Sequence, residues 1–196
     1  YRTRMTPIFS WTYPNTRRTL VFASNRDGDK HVLLSAPSKH GATAEIGQHI
    51  GDALRSRHLD VTDAAPDEAK PYAGYDSIVL GSAVYAGHRL KDAKALAERI
   101  ASTDPRPPVW LFSSGPLGEP PKPDEEPVDV AGIAELVSPV EHTIFAGKID
   151  KSDLGFGERA IMVAVRAPDG DFRDWDEIAA WANGITDALE ASRETA

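Results

Sequence analysis

The stretch VLLSAPSKHGATAEIGQHI, residues 32–50, decides how this chain is read. An apolar run without helical period, HVLLSA (31–36), stops at Pro37. Such a run fits a strand buried on both faces of a parallel sheet. From Thr43 the spacing changes. Ile46, Ile50, Ala53 and Leu54 fall at i, i+4, i+7 and i+8, one face of a helix. Between the two patterns, Ser38, Lys39, His40, Gly41, Ala42 and Thr43 place small and hydroxyl side chains around one glycine. Two readings fit this junction. One is a tight turn with Thr43 as helix N-cap. The other is an anion cradle. The free N–H groups and dipole of a helix start favour a negative ligand, Gly41 permits positive φ, and Ser38 and Thr43 bring hydroxyl donors. The stretch is not a Walker A loop, which ends Gly-Lys-Ser/Thr, nor a G-x-G-x-x-G dinucleotide loop.

The alternation continues along the chain. HLDVTDA (58–64) reads as a second strand. Ser77 to Leu80, within DSIVLGSAVY (76–85), reads as a third that ends in Gly81-Ser82. Leu90, Ala93, Ala97 and Ile100 make a helical stripe, and PPVWLFSS (107–114) a fourth strand with Trp110 in the core. GPLGEPPKPDEEP (115–127) is too Pro-rich for regular structure. VDVAGIAELV (128–137) predicts a short helix and EHTIFAG (141–147) a fifth strand. GFGERAIMVAVRA (155–167) predicts a helix within an insertion. In the final helix Asp174 and Glu177 have the spacing of an N-cap and its N3 partner. Ile178, Ala182, Ile185 and Leu189 then form its core stripe, with Trp175 and Trp181 packing on the sheet.

Strands alternating with helices imply an α/β fold, a parallel sheet covered on both faces. Five strands in one domain fit the order 2-1-3-4-5. Residues 31–196 form that domain, and residues 1–30 read as an N-terminal extension in which TLVFAS (19–24) adds a strand or clamps the core. The net charge of −8 argues against nucleic acid and anionic membranes as partners. The absence of cysteine removes disulfides, thiolate metal sites and cysteine nucleophiles, and fits a reducing, cytoplasmic setting. No apolar run is long enough to be a transmembrane segment. The six histidines (31, 40, 49, 58, 88 and 142) show no metal-ligand spacing, and Ser113-Ser114 stands in no G-x-S-x-G elbow. The acidic run Asp124, Glu125 and Glu126 reads as a solvated loop or a docking surface.

In a sheet of this order, ligands bind beyond the carboxyl ends of strands one, three and four. The loops there are PSKHGAT (37–43), GSAVYAGH (81–88) and SSGPLG (113–118), all rich in glycine or serine. Tyr85 either lies against a planar ring or is packed at a strand end. Ser113, Ser114 and Gly115 either present amides to a polar ring edge or form a turn. The coincidence of three such loops at one sheet edge favours a site.

The stretches SKHGATAEI (38–46), YDSIVLGSAVYAGH (75–88), VWLFSSGPLG (109–118) and GDFRDWDEIAAWANGI (170–185) resemble the flavodoxin-domain family. They lie nearest its menaquinone-dependent protoporphyrinogen oxidase-like branch. The likeness covers roughly residues 31–190 and lies in order and spacing. It implies a flavodoxin-like three-layer sandwich and non-covalent FMN. The family's phosphate loop runs T/S-x-T-G-x-T. Here Ser38, His40, Gly41 and Thr43 take the patterned positions, with Lys39 and Ala42 between them. The resemblance puts Ser82, Ala83, Val84 and Tyr85 beside the isoalloxazine. It puts Ser113, Ser114, Gly115, Pro116, Leu117 and Gly118 at the ring's polar edge. His40 replaces a hydroxyl donor by imidazole, Pro37 removes a backbone donor, and the Pro-rich segment 116–127 is unlike a minimal flavodoxin. The implied function is an FMN-dependent redox protein, carrying out electron transfer or oxidoreduction with a redox protein or quinone as partner. Two alternatives stand beside it. One is a quinone-linked protoporphyrinogen oxidase, with residues 155–167 as the segment to meet quinone. The other is a flavin-free binding module, which His40 and Pro37 allow. The sequence leaves oligomeric state open.

Overall fold

His31–Ser35 (β2) is the strand from which the sheet is built outward. A computed structural model describes residues 10–11, 30–38, 41–68, 72–83, 89–115, 128–150 and 170–194. In chain order the elements are β1 (Ser10–Trp11), β2, α1 (Ala42–Ser56), β3 (Asp60–Asp63), a 3-10 turn (Tyr72–Gly74), β4 (Ser77–Ala83) and α2 (Arg89–Ala101). There follow β5 (Val109–Gly115), α3 (Val128–Val137), β6 (Glu141–Ala146), β7 (Lys148–Ile149), β8 (Gly170–Asp171) and α4 (Trp175–Glu194). The main sheet has the order β1-β6-β5-β4-β2-β3. Its five parallel strands therefore take the predicted order 2-1-3-4-5. Ser10–Trp11 adds a sixth, antiparallel edge strand on β6. TLVFAS (19–24), expected to add a strand or clamp, lies outside the described residues, as does GFGERAIMVAVRA (155–167). A separate antiparallel pair, β7 with β8, brackets that second segment.

Period-two alternation divides the core in two. Val32, Leu34, Val79, Trp110 and Phe112 face α1 and α4, against Ile46, Ile50, Leu54, Ile178, Ala182, Ile185 and Leu189. Leu33, Ile78, Leu80, Val109 and Leu111 face the other side, against Ala93, Leu96, Ala97 and Ile100 of α2 and Ile133, Ala134 and Val137 of α3. The stripes expected for α1 and α4 are thus buried, with Ala53 partly so, as are Ala93, Ala97 and Ile100 of the α2 stripe. Asp174 caps α4, its Oδ1 accepting from the amides of Asp176 at 3.1 Å and Glu177 at 3.0 Å. Trp181 packs edge-on against Phe112 and Phe145, with centroids 6.0 and 5.6 Å away. Trp175 departs from expectation. It stands at the first position of α4, turned off the sheet and 37% exposed.

Two features fix the layers. α1 lies close on the sheet because two glycines omit a side chain. A Cβ on Gly47 would stand 2.7 Å from the Ala36 Cβ, and one on Gly81 would overlap the Phe112 ring. At the amino edge, Lys30 and Asp76 form a buried ion pair at 3.2 Å, with side chains 7% and 5% exposed. The other Asp76 oxygen accepts the His31 amide at 2.8 Å, which laces the starts of β2 and β4 together.

Asp76→Ala strands a buried ammonium and a partly buried amide, and is expected to cost about 3–5 kcal/mol in urea unfolding. Gly81→Val overpacks the Phe112 contact and is expected to cost about 1–3 kcal/mol or more. Gly184, on the exposed side of α4, has nothing within 4 Å of a Cβ. Gly184→Ala is therefore expected to add about 0.5–1 kcal/mol of stability in the same assay.

Candidate functional site

The carboxyl edge of the sheet is stepped. Ser35, the last residue of β2, pairs in register with Leu80, while β4 and β5 continue to Ala83 and Ser114. The third strand is thus longer than the Ser77–Leu80 segment expected from sequence. The chain leaves β2 through Ala36, Pro37 and Ser38, all half-buried, and enters α1 at Gly41. Gly41 has φ 84°, the left-handed conformation that glycine adopts without strain.

α1 begins at Ala42, and among the described residues no side chain caps it. Its first helical hydrogen bond runs from the Glu45 amide to the Gly41 carbonyl at 2.9 Å. The amides before Glu45 therefore have no intrahelical acceptor. Thr43, read from sequence as a possible N-cap, is already inside the helix. Its Oγ1 shares a 2.7 Å hydrogen bond with Ser114 Oγ. Both residues are buried. The first turn of α1 thus reaches across β4 to the end of β5. Gly81, two residues before Ala83 on β4, leaves room there for the Phe112 ring and Ala36.

The other predicted residues divide by face. Ser113 points to the side of the sheet opposite Ser114, where it shares a 2.9 Å hydrogen bond with His142 Nε2. Its hydroxyl is therefore not part of the Thr43–Ser114 contact. Ser82, register partner of Ser113, is buried with an unpartnered Oγ, and so is Ser35. The Gly115 carbonyl accepts the Gly147 amide at 2.8 Å. A Cβ on Gly147 would stand 2.7 Å from that same oxygen, so only glycine allows this approach. Ala83 is placed at the end of β4 beside Ser114. Lys39, His40, Val84, Tyr85, Pro116, Leu117 and Gly118 lie outside the described residues.

The sequence did not reveal a charged group on the flank of this loop. Arg173 donates from Nη1 to Glu45 Oε2 at 2.6 Å, and from Nε and Nη2 to the two Asp171 oxygens at 2.8 and 2.6 Å. Its guanidinium lies 4.4 Å from the Trp175 ring centroid, and that ring is 5.0 Å from His49. The Asp171 fork raises the Arg173 pKa further, and in return holds the Asp171 carboxyl below its ordinary range. A lowered carboxyl pKa means this contact stabilises the fold at neutral pH and fades as pH falls through the carboxylate range. The run DFRDW (171–175), an aromatic between charges ahead of a helix, was its only signal.

A family model described as a flavodoxin domain matches residues 33–176. The chain belongs to the flavodoxin domain family. Flavodoxin domains bind FMN. The fold is similar to that of oxidised flavodoxin 2 from Bacillus cereus, with a TM-score of 0.52 and 18% identity over 81% of this chain and 99% of that one. It is also similar to a short-chain flavodoxin associated with a non-canonical PDU bacterial microcompartment, with a TM-score of 0.50 and 14% identity over 83% of this chain and 99% of that one. No curated protein matches the chain by sequence. No described helix is long and apolar enough to cross a membrane, and no described cluster of His, Asp or Glu could hold a metal ion.

The residues present fit a flavin phosphate. A helix start with no capping side chain among the described residues and a positive-φ glycine meet at the carboxyl edge of the sheet, while the unpartnered Ser35 and Ser82 hydroxyls lie on the face opposite Thr43 and Ser114. Removing one hydroxyl of the Thr43–Ser114 pair should cost about 1–3 kcal/mol, because the survivor stays buried and unpaired. Removing both in Thr43→Val/Ser114→Ala should cost less than the sum of the single changes. A double-mutant cycle by urea denaturation reads the coupling.

Proposed function

We propose that this flavodoxin-domain protein binds FMN non-covalently at the carboxyl edge of its sheet and serves as an electron-transfer or oxidoreductase flavoprotein. The observation that carries this reading is the start of α1 at Gly41, without a capping side chain among the described residues, where the sequence resemblance puts the phosphate loop. Ser38, Lys39, His40, Gly41, Ala42 and Thr43 would hold the phosphate, largely through backbone amides. Ser82, Ala83, Val84 and Tyr85, with Ser114, Gly115, Pro116, Leu117 and Gly118, would flank the ring. FMN supplies the one- and two-electron chemistry when bound. The protein's part is to orient the cofactor and limit water around it, and no side chain is required as acid or base.

A second reading, a quinone-linked protoporphyrinogen oxidase, rests on the sequence resemblance and on the place of residues 155–167. In sequence these lie between β7 and β8, which pair with one another. A redox protein or a quinone is the partner these readings require. A cytoplasmic site of action accords with both.

Visible absorption and FMN titration of the purified chain test the first reading. Expected are flavin bands and quenched FMN fluorescence; no binding sinks the proposal. Gly41→Val forces a β-branched residue into left-handed φ and narrows the loop. It is expected to weaken FMN by about tenfold or more, equivalent to about 1.4 kcal/mol or more, in a folded protein. Unchanged affinity would place the phosphate elsewhere. Anaerobic turnover of protoporphyrinogen with a quinone separates oxidase from carrier, and absence of turnover removes the oxidase.

A further inference from the structure

We infer that Glu45 and Arg173 form a charge pair that sets the phosphate selectivity of this site, favouring FMN over riboflavin; the inference rests on the FMN reading above. Glu45 lies one turn into α1, and its Oε1 would stand 3.5 Å from a Cβ on Gly41. The carboxylate therefore borders the loop proposed for the phosphate. It also occupies the positive end of the helix dipole, where a phosphate would sit. An unpaired Glu45 would repel a dianion from that position.

Arg173 is built to prevent this. Its side chain is only 4% exposed, whereas Glu45 is 48% exposed. Asp171 holds the guanidinium by a two-pronged fork, and Asp171 Oδ1 also accepts the Arg173 amide at 3.2 Å. The Trp175 ring covers one face of the guanidinium. These contacts leave Nη1 directed at Glu45 Oε2. The fixed partner is thus the cation, and the partner with rotamer freedom is the carboxylate beside the cradle. Glu45 can draw back along the guanidinium when an anion arrives, and Arg173 keeps its charge compensated as it does so. The three side chains together carry one net negative charge. Removing Arg173 raises that to two and leaves Glu45 beside the phosphate.

The readout is the ratio of FMN to riboflavin affinity, since riboflavin has the ring without the phosphate. Arg173→Gln is expected to weaken FMN about tenfold at low salt, with riboflavin changed less than about twofold and the FMN loss shrinking as salt is raised. Glu45→Gln, at a half-exposed position with little role in packing, is expected to tighten FMN about threefold and leave riboflavin alone. The double variant should recover most of the FMN affinity lost in Arg173→Gln. Thermal unfolding of each apoprotein confirms that folded species are compared. If Arg173→Gln fails to fold, Glu45→Gln decides the matter alone, and an unchanged ratio overturns the inference. Equal loss of both flavins in Arg173→Gln, or no recovery in the double variant, also overturns it and makes Arg173 a brace for α4. A wild-type chain that binds FMN with a ratio flat across the variants defeats only this inference. A wild-type chain that binds no FMN defeats the proposed function as well.

Discussion

The close approach of α1 to the sheet is the constraint on which the rest depends. The helix leaves β2 at one level of the sheet, and its first turn must reach the end of β5, two strands away. Ordinary side chains beneath it would lift it clear. Gly47 on the helix and Gly81 on β4 remove that bulk around Ala36, and the Phe112 ring fills the space left on the sheet side. The result is the buried Thr43–Ser114 contact, which places the helix start, and hence its free amides, against the projecting ends of β4 and β5. Packing at the level of single methyl groups here decides the geometry of a polar site.

The two edges of the sheet treat buried polar groups differently. At the amino edge the Asp76 carboxylate engages Lys30 with one oxygen and the His31 amide with the other, so a charged pair is matched. At the carboxyl edge Ser35 and Ser82 are buried with no partner. An orphaned hydroxyl does not by itself mark a ligand, since Ser77 at the amino edge is orphaned too. Ser82 lies one residue from the end of β4 and, as register partner of Ser113, faces the side of the sheet opposite Ser114.

Much of this was legible before any coordinates. The strands announced themselves as short apolar runs, and the helices by stripes such as Ile178, Ala182, Ile185 and Leu189. Both signals are periodic and local. What stayed hidden depends on small displacements or on distant partners. Thr43 was open to reading as a cap because capping turns on where the helix starts, and the left-handed Gly41 moves that start to Ala42. Trp175 looked like a core residue by composition. Its partners turned out to be its near neighbour Arg173 and His49 on α1, a contact that no window of sequence contains. Ser10–Trp11 is too short to carry a period and exists as a strand only through β6. Ser113 and Ser114 were grouped as one polar edge, although adjacent strand residues must face opposite ways. His142 takes one and Thr43 the other.

The empty-handed start of α1 also bears on whether the fold works without a flavin. Glycine at a cap position costs only about a few tenths of a kcal/mol relative to serine, threonine or aspartate, yet it brings no side-chain acceptor for the free amides. The chain places a glycine there, commits the nearby Thr43 hydroxyl to Ser114, and sets an acidic side chain one turn in. Glu45 gives part of the dipole compensation that a cap or an anion would give, and its charge is in turn balanced by a covered arginine. Such an arrangement is stable enough without ligand and improves when an anion supplies the missing acceptors. That is the arrangement the proposed phosphate site calls for.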